Sequence, residues 1–415
     1  MTWKACFLMN IKTKENQNVR NAVIIGVLCS ITYLTVYIVR NVLSVVTPQM
    51  LEEGFTTEYI GKISSVFFGV YAVGQLINGL VGDRIKARYM MTLGLIFAGV
   101  TNLFFPFAVS YEWGAVALYA MTAFSLAMIY APLMKVISEN VEPDYAPRCS
   151  LGCTFASYFG ATVAGFIAAL LSWRATYFVS SLMLIVMGVT VFVCLWVLEK
   201  KEIVRYGFYK KQKNGMANAR VLLKRNIIKF MIISIITGII RTSVMFWLPT
   251  YISQYFGFSA DGASVAFTVA TVFISVAAFI ATFTYERLNR NMNVTVLLMF
   301  SVSALAFVGV YFLKYPILNI IMIILAVMAS NGAAAMLWNI YCPSLRDTGM
   351  TAFATGFLNF LSYISAAVAN VLFGNAVAKI GWSNLILVWL GIMVVGVIAS
   401  IPYKHINKEN CNEGD

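Results

Sequence analysis

The sequence predicts an all-α membrane protein of twelve transmembrane helices arranged as two pseudo-symmetric six-helix bundles. Three observations carry this. The 415 residues are 60% hydrophobic and only 11% charged, with a mean hydropathy of +0.81, whereas a soluble domain carries about 25% charged residues. The apolar residues fall in blocks of roughly 20, the length that spans a bilayer as a helix. Four landmarks also recur in the same order in the two halves of the chain.

The stretch before Asn21 is polar and basic, and its apolar run Cys6–Met9 is too short for a signal-peptide core. The spans then follow at 22–46, 60–82, 89–109, 113–137, 149–171, 175–198, 226–252, 263–283, 292–313, 316–340, 350–374 and 382–403. The first holds Tyr33, Tyr37 and Arg40, which share one face at spacings of seven and three. The second holds Tyr71 and Gln75, four apart, then Asn78, and ends at Asp83-Arg84. The fourth carries Pro132 and Lys135. The fifth carries Ser157 and Tyr158, then the small-residue run Gly160–Gly165, which lets helices pack closely. The seventh holds Arg241, the tenth Trp338 and Asn339, and the eleventh Asn359, Ser362 and Tyr363. The stretch Glu199–Arg225 divides the chain into a first half (1–198), a linker loop (199–225) and a second half (226–415).

The net charge of +13 invites a nucleic-acid reading, but the placement of charge argues against it. Of 30 Lys and Arg, 24 fall on one side of the predicted membrane: four in the N-terminal tail, ten between Lys200 and Lys229, Lys404 and Lys408, and the rest in alternate loops. The other side has Lys62, Arg174, Lys314 and Lys379 with several carboxylates. This is the positive-inside pattern of a multi-pass cell-membrane protein with both termini cytoplasmic, its basic face meeting anionic lipid. No metal or cofactor is expected: the single histidine, His405, is in a tail, and Cys149 and Cys153 lack further ligands.

The repeat centres on two arginines inside apolar spans. Pro48 follows Arg40 by eight residues, Gly54-Phe55 by 14 and Asp83-Arg84 by 43. Pro249 follows Arg241 by eight, Gly257-Phe258 by 16 and Glu286-Arg287 by 45. Two such halves, each of six helices in the same orientation, form a parallel repeat like that of major facilitator transporters, with the substrate site between them near the midplane. The acid–arginine pairs fall where the second helix of each half reaches the basic side. Asp83, Arg84 and Arg88, and less clearly Glu286 and Arg287, are therefore candidates for a cytoplasmic latch that breaks as the halves rock.

Each arginine is ~18 Å along the helix from the nearest flanking charge, and a cation in hydrocarbon costs ~2.5–3.5 kcal/mol on insertion scales. The 17 Asp and Glu all fall in loops, tails or helix ends, so neither arginine has an acidic partner. A guanidinium fork suits phosphate or carboxylate. A proton-coupled carrier ordinarily buries an Asp, Glu or His, and its absence favours exchange of one anion for another.

Several motifs together resemble the organophosphate:phosphate antiporters of the major facilitator superfamily, the glycerol-3-phosphate and hexose-phosphate transporters. They are Tyr37-Ile38-Val39-Arg40, Glu53-Gly54-Phe55, Tyr71 before Gly79–Arg84, Arg241 before Trp247–Tyr251, and Gly356–Tyr363. The resemblance implies that Arg40 and Arg241 bind the phosphate group, that Tyr33, Tyr37, Tyr71 and Tyr363 line the site, and that inorganic phosphate is the counter-substrate. Gln75 and Ser157 stand where the glycerol-3-phosphate transporters have a lysine and a histidine, and Gly238 where they have a tyrosine. Those departures leave room for a carboxylate or sugar acid driven by ion symport. A transporter-like ligand sensor is a further alternative. The spans hold no nucleophile, acid and metal set, so an enzyme is not expected. The expected form is a monomer carrying a small anion.

Overall fold

Lipid offers backbone groups no hydrogen bonds, so a chain this apolar must satisfy them internally, and helices do so within one segment. The computed structural model of the protein describes residues 3–82, 85–142, 145–206, 223, 225–345 and 351–401. Eleven helical segments in it are long and apolar enough to cross a membrane. They are α1 (Gln17–Glu52), α2 (Thr57–Asn78), α3 (Ala87–Ala108), α4 (Glu112–Asn140), α5 (Arg148–Leu170), α6 (Trp173–Lys200), α7 (Ile227–Phe256), α8 (Ala260–Arg287), α9 (Met292–Phe312), α10 (Pro316–Tyr341) and a last segment, Ala354–Ser400. The last has 47 residues, or roughly 70 Å of helix, more than twice the thickness of hydrocarbon. Gly381 breaks it, with φ 74° and ψ 174°. It therefore comprises two spans, α11 (354–380) and α12 (382–400), in accord with twelve helices.

Several helices outrun their apolar blocks. The block expected at 22–46 is the middle of α1, whose polar ends continue the same helix to Gln17 and Glu52. Glycine ends α1 and α7 in the same way. Gly54 (φ 95°) and Gly257 (φ 70°) adopt left-handed conformations that a side chain disfavours, which explains why Gly-Phe recurs after each arginine.

One end of the bundle, marked by Glu53, is closed. There α1 meets α7 and α8, and α2 meets α11. Pro249 has no N–H to give to Met245 O, four residues back. Ser44 Oγ of α1 donates to the neighbouring Phe246 O at 2.6 Å and lies 3.4 Å from Met245 O. Ser264 Oγ of α8 donates to Val45 O of α1 (3.2 Å), and Gln49 Nε2 donates to Asp261 Oδ1 (3.3 Å). The α2–α11 crossing is backbone to backbone: a Cβ on Gly61 would lie 2.9 Å from Asn370 O, and one on Gly374 would lie 2.7 Å from Thr57 O.

Four helices are irregular where they pass the interior. A turn at Met128–Ile129 breaks α4, and another at Val276 breaks α8. Helix α7 widens to a π-helical turn at Ile239–Val244, and α10 does so at Leu337–Tyr341. All four helices contribute to the cavities below.

Candidate substrate-binding site

Two connected hollows lie between the first six helices and the last six. The inner one is bounded by Arg40 and Asn41 of α1, Phe68 of α2, Ser157 and Tyr158 of α5, Arg241 and Thr242 of α7, Thr271 of α8 and Asn331 of α10. The outer and larger one shares Tyr37, Ser157, Tyr158 and Arg241 with it. It widens past Tyr33, Gln75, Tyr130, Met134, Ser150, Trp338, Asn339 and Tyr363. Those residues lead toward the end opposite Glu53, where α2 runs out and α3, α5 and α11 begin. The site is thus sealed at one end and approached from the other.

Arg40 is 8% exposed and sits in an aromatic cage. Its Cζ is 4.9 Å from the Tyr37 ring centroid, 5.3 Å from Phe68, 4.8 Å from Tyr71 and 4.6 Å from Tyr363. Its Nη1 donates to Tyr363 Oη at 3.0 Å and Tyr37 Oη at 3.3 Å. Tyr33 Oη in turn donates to Tyr37 Oη at 3.5 Å, and the Tyr71 and Tyr363 rings meet edge to face at 5.0 Å. A cation–π contact contributes about 0.5–1 kcal/mol at an exposed site and about 2 kcal/mol or more when desolvated. The ring faces hold the guanidinium without neutralising it. Tyr363 also ties Arg40 of the first six helices to α11 of the last six.

Arg241 lies on the π-helical turn of α7, with its Cζ 5.4 Å from the Tyr158 ring. The wider turn shifts the register of the helix face at this residue. No Asp or Glu occurs among the described residues that line either hollow. The described lining of the cavity therefore presents two cations, several phenols and amides, and no acid.

The other expected residues divide. Tyr33, Gln75 and Tyr363 line the outer hollow, Tyr37 and Ser157 line both, and buried Tyr71 packs on Arg40. Ser157 Oγ donates to Thr154 O within its own helix (2.7 Å). Asp83 and Arg84 lie outside the described residues. Arg88 is buried and braces α3 against α6: its Nη1 meets Glu199 Oε2 at 3.0 Å and its Nη2 donates to Tyr89 Oη at 2.7 Å. Tyr206 Oη donates to Glu199 Oε1 at 3.0 Å, and burial together with that carboxylate pushes the phenol's pKa up. Glu286 and Arg287 are exposed at the end of α8. At the closed end Glu53 accepts from Arg174 Nη1 (2.8 Å) and the Trp173 indole (2.7 Å), which hold its carboxyl below the usual range.

Phe68 and Asn331 were missed by sequence reasoning. Phe68 is three residues before Tyr71, so helical spacing from that tyrosine points to it. Asn331 is an amide in the middle of an apolar span, a signal in its own right.

The family profile of the Major Facilitator Superfamily matches residues 29–370. The chain belongs to the Major Facilitator Superfamily. This major facilitator protein is 23% identical over 408 residues to the membrane sensor protein UhpC of Escherichia coli (strain K12), covering 92% of this chain and 91% of that one. It is 19% identical over 412 residues to the glycerol-3-phosphate transporter of Bacillus subtilis (strain 168), with 92% and 91% covered. It is 22% identical over 414 residues to a phosphoglycerate transporter protein of Salmonella typhimurium (strain LT2), with 92% and 88% covered. Among solved structures, the xylose transporter XylE of E. coli superposes with a TM-score of 0.70 at 12% identity, covering 92% of this chain and 100% of that one. An inward-facing bacterial homologue of the human lysosomal transporter Spinster gives 0.73 at 12%, covering 92% and 96%. Fold and relatives are those of major facilitator transporters, not enzymes.

Proposed function

We propose that this major facilitator protein exchanges an organic phosphate for inorganic phosphate by alternating access. The observation that carries the reading is the pair Arg40 and Arg241 on one cavity whose described lining has no carboxylate. Arg40 reaches the anion from α1 and Arg241 from α7. Tyr33, Tyr37, Tyr71, Gln75, Ser157 and Tyr363 shape the surroundings. With an anion bound in both directions, neither cation crosses the cycle uncompensated. The B. subtilis and S. typhimurium relatives, named as carriers of glycerol 3-phosphate and phosphoglycerate, support an organic phosphate.

In this reading residues 1–198 and 226–415 rock about the site, joined by 199–225. The excess of Lys and Arg supports placing both termini in the cytoplasm of a cell whose inner membrane the protein spans as a monomer. The hollow past Tyr33 and Trp338 then opens inward. Asp83, Arg84, Arg88, Glu286 and Arg287 belong to the cytoplasmic gate. The relative named as a membrane sensor favours a second reading, in which the same site binds its anion and signals. Gln75 and Ser157, both uncharged, favour a third, a carboxylate or sugar-acid carrier.

Proteoliposomes loaded with phosphate separate the three. Exchange predicts uptake of labelled organic phosphate that needs internal phosphate and ignores a proton gradient. Binding without any flux selects the sensor. Gradient-driven uptake of sugar acids selects the third reading.

A further inference from the structure

Most polar side chains around the inner hollow spend their hydrogen bonds inside the protein. Asn41 Nδ2 donates to Tyr37 O at 2.7 Å, Ser157 Oγ to Thr154 O at 2.7 Å and Thr271 Oγ1 to Thr268 O at 2.9 Å. Thr271 also meets Thr162 of α5, hydroxyl to hydroxyl, at 3.0 Å. Asn331 is different. It lies on α10, is 1% exposed and lines the cavity, and its Oδ1, itself covered in this state, has no hydrogen-bond partner among the described residues. A buried amide oxygen left unpaired is costly, and such groups in native proteins are ordinarily satisfied by protein, water or ligand.

We propose that Asn331 is a specificity residue that binds a hydroxyl on the organic part of the substrate. Oδ1 is an acceptor, so it repels the anion's oxygens, which the arginines take. It calls instead for a donor. With the amide turned toward the hollow, a substrate hydroxyl donates to Oδ1 and can accept from Nδ2 of the same group, a match that an alkyl group or an oxyanion does not provide. The substrate class is thus a small anion with a hydroxyl on the carbon skeleton beyond its charged group. This deepens the function proposed above and rests on its placing of the anion at Arg40 and Arg241.

Titration calorimetry of the purified full-length protein tests it with two matched pairs: glycerol 3-phosphate against n-propyl phosphate, and 3,4-dihydroxybutyrate against butyrate. Inorganic phosphate is titrated alongside. In whichever pair binds, the wild type favours the hydroxylated member by about tenfold, and Asn331→Leu brings that ratio close to one. Asn331→Thr, which keeps a hydroxyl, retains part of it. Should Asn331→Leu fail to fold, Asn331→Ala reads the same ratio. A ratio that persists in these variants, an equal loss on both members, or a wild type with no preference overturns the assignment. If only the carboxylates bind and show the pattern, the phosphate reading fails and the role of Asn331 stands. If neither pair nor phosphate binds, both fail.

Discussion

Arg40 illustrates how a permanent charge is kept inside a membrane protein with no acidic partner among the described residues. Four ring faces and two phenol oxygens surround it. All of these solvate the cation and none cancels its charge, so the charge remains available to an incoming anion. Lysine at this position keeps the charge and loses the planar fork. Arg40→Lys and Arg241→Lys are each expected to weaken binding of inorganic phosphate by ~100-fold or more, read by calorimetry. Native affinity in either variant would remove that arginine from the site. Tyr363→Phe deletes only the oxygen that accepts from Arg40 Nη1 at 3.0 Å. The cage stays in place but the guanidinium is less firmly aimed, and a loss of about tenfold follows from hydrogen bonds to charged groups. The same calorimetry checks it, and an unchanged affinity would show that the ring alone holds Arg40.

Helix irregularities do the positioning at the next scale. Pro48 and Pro249 each stand eight residues past an arginine, and each withdraws one N–H from its helix. On α7 this loosens the carbonyls at Met245 and Phe246, which Ser44 of α1 then approaches. The π-helical turn sets Arg241 on the cavity wall. The opposite requirement holds at the α2–α11 crossing, where glycine is needed because backbones touch. Gly61→Ala puts a methyl 2.9 Å from Asn370 O, and overpacking of this kind typically costs ~1–3 kcal/mol. The closed end should open more often. A cysteine in place of Ser44, buried there, should react faster with an impermeant maleimide added outside cells when Gly61→Ala is also present. Equal labelling rates would count against this crossing as the seal.

The molecule as a whole is closed at the Glu53 end and hollow toward the other, the shape that the proposed alternating access requires of one of its states. Its closed end includes a charge cluster that titrates. Arg174, then the Trp173 indole, holds Glu53 below the ordinary carboxylate value of 4.5. The folded protein thus favours the charged form. Its contribution is complete above the unfolded value and is lost as pH falls through the lowered folded value. Melting temperature should therefore drop as pH is taken below about 4.5 in the wild type, with part of that drop missing in Glu53→Gln. The group is exposed, so the difference should be no more than a few degrees; identical pH profiles would show that the pair contributes nothing. If the proposed latch operates, Asp83→Asn is expected to abolish flux while the protein still reaches the membrane. Normal turnover in a counterflow assay would rule out the latch.

Composition and block length alone determined that this chain crosses a membrane many times, because lipid leaves an apolar backbone no alternative to helices. The repeat of Arg, Pro and Gly-Phe marked the arginines as a matched pair, since a cation inside an apolar span is too costly to recur at random. Helical spacing placed Tyr33 and Tyr37 with Arg40. The sequence did not show that Phe68 and Tyr363 complete the cage, nor that Arg241 rides on a π-helical turn. Those depend on which helix faces which, and twelve helices of similar apolarity carry no local signal for it. The unpartnered oxygen of Asn331 is likewise a tertiary fact. A hydrogen bond left unmade exists only once every possible neighbour has been placed.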